Sequence, residues 1–225
     1  MKRIALAALA LLAAGTAQGD DLASTIHGSV GVALRDPSDA PPYDQLQLEY
    51  DTGTVLHLEV ASHYPSNLMV RVFYAYTFYD ELSGSGGLSF AQDIRQHDAR
   101  FGAYFAPWRH GPLRYRAGGG YAYGHEKDSS DDSRIQSGGF LEAAALFDAG
   151  TLATLELVAT AMKLDGDEDY DAEIGELRFG AAFHAGAVDF TLNTRYAAYD
   201  RESPFDEELL EFRVGVAGVW GYPEN

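Results

Sequence analysis

The sequence predicts an all-β protein, an antiparallel up-and-down transmembrane β-barrel of 10 to 12 strands. Three observations predict it: a short apolar leader, apolar residues on alternate positions in runs of about ten, and aromatic residues gathered at the ends of those runs.

The leader comes first. Lys2 and Arg3 precede the apolar run IALAALALLAAG, and small and polar residues follow as far as Ala17-Gln18-Gly19. The run is about 13 residues, short of the roughly 20 a spanning helix needs. It therefore reads as a cleavable signal peptide over 1–19, with a single barrel domain over 20–225. The chain has no cysteine, which closes off a lipid attachment site, a disulfide framework and a thiol nucleophile together. Cleavage removes two cations and moves the formal charge from −18 to −20, so nucleic acid is excluded as a partner. No later segment is apolar enough for a membrane helix, so a membrane crossing has to be made with strands.

The strands follow in order. The first half carries Leu46-Leu48-Tyr50, Leu56-Leu58-Val60, Leu68-Val70-Val72-Tyr74-Tyr76-Phe78, Phe101-Ala103-Phe105 and Leu113-Tyr115-Ala117-Gly119-Tyr121-Tyr123. The second half carries Leu141-Ala143-Ala145-Phe147, Leu155-Leu157-Ala159-Ala161, Leu177-Phe179-Ala181-Phe183, Val188-Phe190-Leu192-Thr194-Tyr196 and Leu210-Phe212-Val214-Val216-Gly218-Trp220. Weaker runs near 24 to 34 and 86 to 93 raise the total from ten to twelve, and a bacterial single-chain barrel takes an even number. Short links at 105–112, 148–150 and 185–187 alternate with longer acidic ones at 125–133, 164–172 and 200–207, as inner turns and outer loops would.

A soluble sandwich or ligand-binding barrel also alternates, but there the apolar face fills the interior. The aromatics Tyr74, Tyr76, Phe78, Tyr79, Tyr121, Tyr123, Phe147, Tyr196, Tyr199 and Trp220 fit the girdles of a membrane barrel instead. The strands YRAGGGYAYG and LEFRVGVAGVW, the leader and the acidic loops together resemble the small outer-membrane barrels of proteobacteria, the outer-membrane protein A-like and small porin-like group. The resemblance is architectural and covers nearly all of the mature chain. It implies a Gram-negative outer-membrane location, lipid and lipopolysaccharide as surroundings, and the barrel assembly machinery as a partner in biogenesis. Such barrels usually end on an aromatic residue; here Gly-Tyr-Pro-Glu-Asn follows Trp220, leaving Trp220 or Tyr222 to serve.

Opposite the apolar stripes stand seven acids, Glu49, Glu59, Glu142, Glu156, Glu176, Asp189 and Glu211, and seven arginines, Arg71, Arg100, Arg114, Arg116, Arg178, Arg195 and Arg213. The lumen is neutral, so the chain's negative charge falls in turns, loops and tails. Matched guanidinium and carboxylate groups in a narrow lumen pair by charge-assisted bonds, which predicts a plugged interior. An ion-selective pore would show one sign in excess. Glycines at 118, 120, 138, 180 and 215 leave space on the same face and keep a narrow porin as the alternative.

Motifs for chemistry are weak. His27-Gly28-Ser29 has the spacing seen in outer-membrane phospholipases, and His63-Tyr64-Pro65-Ser66-Asn67 distantly resembles the His-Ser-Asn cluster of lipid A deacylases. A nucleophile needs a base and an orienting group; a lumen-facing pair and a Pro-Ser-Asn turn explain these residues more simply. Asp165, Asp167 and Asp169, with Glu176 at the twelfth place, partly match a calcium loop, but Tyr170 stands where that loop wants glycine. A solvated loop is the plainer reading, and weak divalent binding there, or at Asp128, Asp131 and Asp132, is the sharper one. His97, His110, His125 and His184 lack metal-ligand spacing, and no cofactor is indicated. The sequence thus points to a non-enzymatic envelope or surface protein, ahead of a narrow porin and of a lipid-modifying enzyme.

Overall fold

In a computed structural model the described residues are 23–37, 47–48, 51–64, 66–79, 84–85, 93–107, 112–128, 133–166, 171–186, 188–201 and 207–220. Ten strands of 12 to 16 residues form one closed antiparallel barrel: β1 (Ala23–Pro37), β2 (Asp51–His63), β3 (Leu68–Tyr79), β4 (Ile94–Phe105), β5 (Leu113–Asp128), β6 (Ser133–Asp148), β7 (Ala153–Gly166), β8 (Ala172–Ala185), β9 (Val188–Arg201) and β10 (Glu207–Trp220). Each strand pairs with its neighbours in the chain, and β1 pairs with β10, from Ser24 opposite Trp220 to Pro37 opposite Glu207. Closure leaves no unpaired edge, the condition for a sheet to stand in hydrocarbon.

The total of ten agrees with the sequence, but its membership differs. The weaker run near 24–34 is β1, whereas Leu46-Leu48-Tyr50 supplies no barrel strand. Gln47–Leu48 pairs with Gly84–Ser85 in a separate two-stranded piece. Five residues are too few to cross a bilayer, which takes about 9–11 in a strand. The run near 86–93 lies outside the described residues apart from Asp93, which is irregular.

The chain ends of the barrel and the links 64–67, 106–112, 149–152 and 186–187 lie at one end, here termed inner. Asn67, Gly150 and Gly186 turn these links at φ of 61°, 70° and 74°, in the left-handed region that Gly and Asn enter at least cost. The inner links contain no Asp or Glu. The outer links 38–50, 80–93, 129–132, 167–171 and 202–206 contain fourteen, with no Lys or Arg.

Period two decides what each face holds. Leu141 is 72 % exposed while Glu142 beside it is 3 % exposed, the inverse of a soluble sheet. Val30, Leu58, Phe101, Leu157, Phe179, Phe190 and Val214 continue this exposed apolar band around the barrel. Among the described side chains, outward-facing Asp, Glu, Lys and Arg occur only towards the outer end, at Arg95, Lys127, Lys163, Asp165, Glu173, Asp200 and Glu208. From Phe105 to Arg95 the strand rises about 33 Å, or about 25 Å along the barrel axis at a tilt of about 40°, the height of a lipid-facing belt.

Candidate functional site

The inward face carries the charge. Glu49 lies outside the described residues; the other thirteen charged residues that the sequence assigns to the lumen all occupy inward positions. Most join in one network. Arg100 on β4 holds Glu176 on β8 with two bonds, Nη1 to Oε1 at 3.1 Å and Nη2 to Oε2 at 2.7 Å. Arg195 donates from Nε to Glu176 Oε2 at 2.8 Å and from Nη1 to Glu211 Oε1 at 2.6 Å. Arg178 places Nε 3.2 Å from Glu176 Oε1 and donates from Nη2 to Glu142 Oε2 at 3.0 Å. Glu142 also receives Arg71 and, at 3.3 Å, Arg116, whose Nη2 lies 2.6 Å from Glu156. Glu59 stands 3.8 Å from Arg71 and 3.9 Å from Arg178, and Arg213 Nε stands 3.6 Å from Glu211. The network touches every stave except β1, and Arg100–Glu176 reaches four staves round, close to a full diameter.

Arg195 and Glu211 are each 1 % exposed. Such burial is tolerable because these two charges face each other and further opposite partners: an isolated ion here would carry a desolvation cost of several kcal/mol. At the inner end Arg114 pairs with Asp148 at 2.7 Å, and His184 with Asp189 at 2.8 Å.

A second knot lies at the outer end and was missed in sequence. Arg35 bonds Glu207 and stands 3.2 Å from Glu126, which also lies 3.2 Å from Arg134. Its signal was the parity of β1, the run ranked as weak. Above the main network, Tyr79, Ile94, Leu164, Ile174, Tyr199 and Leu209 belong to a buried apolar cluster inside the barrel. Tyr79 and Tyr199 are therefore not girdle residues: each is odd-numbered on a strand whose even positions face out. Tyr74, Tyr76, Phe78, Tyr121, Tyr123, Phe147 and Tyr196 do stand on outward positions, and Trp220 is paired through its backbone at the inner end.

The inner-face glycines at 118, 120, 138 and 215 do not open space into the lumen. A Cβ on Gly120 would come 1.9 Å from the Phe101 carbonyl oxygen, and one on Gly118 would come 2.6 Å from Tyr104 Cα. Adjoining strands fill those places, so glycine here permits close approach. A small open-mouthed cavity is lined by Gln96, Asp98, Gln136 and Tyr199 together with Arg100 and Arg195.

Of the motif residues, His27 Nε2 bonds Thr191 Oγ1 at 2.7 Å, while Ser29 Oγ meets His57 Nδ1 at 3.1 Å. His57 Nε2 lies 3.9 Å from Glu59, giving a serine, histidine and carboxylate in a line. His57 is only 6 % exposed, however, and lies against Phe73. His63 ends β2 beside a turn closed by Tyr64 and Asn67, with Pro65 outside the described residues. Glu176, the twelfth place of the calcium-like loop, faces the lumen with three arginines and is lost to that loop. Asp165 is exposed, while Asp167 and Asp169 lie outside the described residues, as do Asp131 and Asp132; at Asp128 only the backbone is described.

No family model matches the chain, and no curated protein matches it. Solved structures do. The outer-membrane protease OmpT from Escherichia coli is 6 % identical, with 89 % of this chain and 97 % of that one covered at a TM-score of 0.54. The β domain of the Bordetella autotransporter BrkA is 10 % identical, with 89 % and 99 % covered at 0.50. Neisserial surface protein A is 11 % identical, with 89 % and 99 % covered at 0.41. At such identities the likeness is one of fold alone, and that to the protease and the autotransporter domain gives the class: a closed β-barrel of the kind found in outer-membrane proteins, here with ten strands.

Proposed function

We propose that this is a non-enzymatic outer-membrane protein, exported by a signal peptide cleaved after Gly19, that works as a closed barrel displaying acidic outer loops in envelope integrity or surface interaction. Its surroundings are outer-membrane lipid and lipopolysaccharide, its partner in biogenesis is the barrel assembly machinery, and its acidic loops attract divalent cations. The observation that carries the reading is the continuous run Arg100–Glu176–Arg195–Glu211 across the lumen. A solute would have to part these pairs and leave buried ions without partners. Planar-bilayer recording tests it: the closed barrel gives no steady openings, and unitary currents that scale with salt would refute it.

A second reading, a narrow porin, draws on specific atoms. Arg213 Nε and Nη1, His57 Nε2 and Asn193 Nδ2 have no hydrogen-bond partner among the described residues. Buried polar groups of this kind are commonly satisfied by water, and a hydrated seam along β9, β10, β1 and β2 would be the route for any current observed.

A further inference from the structure

One inward acid stands outside the lumen network. Every other inward acid whose side chain is described has a cationic partner, Glu126, Asp148, Glu156 and Glu207 among them. Asp98 on β4 has none. Among the described residues its carboxylate meets Gln96 Nε2 at 3.4 and 3.5 Å, long for hydrogen bonds. Arg100 and Arg195 lie close by, but both are held by Glu176. A carboxylate confined in a lumen without a counter-ion is costly, and such a group gains from a cation supplied from outside.

The strand register leaves room for that cation. Asp98, Gly124 and Gln136 stand side by side in one row across β4, β5 and β6. Gly124 has no side chain to separate its neighbours: the point where its Cβ would stand lies 3.6 Å from Asp98 Oδ1 and 4.0 Å from Gln136 Oε1. Two oxygen acceptors thus converge over one glycine, in the small open-mouthed cavity above Arg100 and Arg195. Met162, Leu164 and Ile174 give the cavity a buried apolar side. One carboxylate and amide oxygens supply little anionic charge for a divalent metal, and among the described residues no three His, Asp or Glu side chains are placed to hold one. An ammonium group suits the site better: it is a compact charge with three donors, and the stem that carries it can lie on apolar surface.

We propose that this cavity binds a primary ammonium group on an unbranched aliphatic stem, as a lysine side chain or a free alkylamine presents it. The nitrogen sits over Gly124 and donates to Asp98 Oδ1 and Gln136 Oε1, and the stem lies against Met162, Leu164 and Ile174. The outer links support this choice of charge. Their fourteen acids, with no Lys or Arg, lie at the same end of the barrel and set up a field that gathers cations there. Below the cavity the Arg100–Glu176–Arg195 run crosses the lumen, so the group is held at the outer end. The inference rests on the barrel, and takes from the outer-membrane reading the side from which the group arrives.

The test uses full-length mature protein in detergent micelles at neutral pH and physiological salt, first checked for a heat-dependent gel shift. Absence of that shift would remove the barrel reading itself, and the site with it. Butylamine, Nα-acetyl-lysine methylamide, butanol and magnesium chloride are then titrated in turn while the backbone amide NMR signals of Asp98, Gly124 and Gln136 are followed. Both amines should move these signals saturably, and the tighter of the two names the source as free amine or polypeptide. Butanol and magnesium should not move them at equal concentration. Asp98→Asn should weaken amine binding by about tenfold or more, the worth of a hydrogen bond to a charged group. Gly124→Ala, whose methyl group takes the space between the acceptors at ordinary contact distances, should weaken it as far and keep the gel shift. Glu173→Gln, on the outward face, should bind as wild type does. No saturable shift, an equal response to magnesium, or wild-type binding by an Asp98→Asn protein that keeps its gel shift would overturn the site.

Discussion

Replacing Glu176 by Ala tests the lumen network at its most connected point. Its carboxylate serves Arg100 through two bonds and Arg195 through one, and has Arg178 3.2 Å away. The substitution leaves three guanidinium groups in a lumen with fewer acids than bases. Removing one partner of a buried pair costs about 3–5 kcal/mol, and for a chain of this length each kcal/mol moves the midpoint by about 2–4 °C. The temperature at which the folded gel band is lost should therefore fall by about 6–20 °C. The double variant Arg100→Gln/Glu176→Gln should recover part of the loss, because neither member of its principal pair is then charged. The coupling between the two sites should exceed about 1.5 kcal/mol in a double-mutant cycle by urea unfolding in lipid vesicles. A single variant within about 1 kcal/mol of wild type, or a cycle with no coupling, would refute the claim that these pairs hold the lumen shut.

Three further outcomes follow from other parts of the fold. Leu141→Arg, at mid-height on the outward face, should cost about 2–4 kcal/mol in the same vesicle assay, and a neutral result would place that face in water. Gly120→Val should abolish the heat-modifiable band because its Cβ meets the Phe101 carbonyl, whereas Gly139→Ala, whose Cβ finds its nearest neighbour at 3.9 Å, should retain it. His57→Ala and Ser29→Ala should leave phospholipid and lipid A profiles of expressing cells unchanged; a lost lipid product in either would instead assign chemistry to the Ser29–His57 contact.

The architecture was readable in sequence because a barrel in lipid exposes its apolar face and buries its ions, and period two displays both at once. Val214 beside Arg213 on β10 states that inversion without any structure. What could not be read was which partner each ion takes. Glu176 lies 76 residues from Arg100, and their contact depends on stave order and stagger that strand patterns do not encode. Two inferences failed for definable reasons. Tyr79 and Tyr199 were assigned by residue type when parity turned them inward, and the inner-face glycines were taken as empty space when neighbouring strands fill it. β1 was undervalued because Gly28 interrupts its outward apolar stripe, and Arg35 was lost with it.

The two ends of the barrel carry a further consequence. Fourteen acids without a basic residue occupy the five outer links, while the four inner links hold no acid. On the proposed reading a field of that sign repels the phosphates of surrounding lipid, so close lipid packing around the rim requires cations, and divalent ions bridging acidic loops and phosphates are the source the chain's composition favours. Washing outer membranes that contain the protein with EDTA should therefore release lipid A from the barrel, and adding back magnesium should restore it; full retention of lipid A after EDTA would show that no bridging cation holds it there.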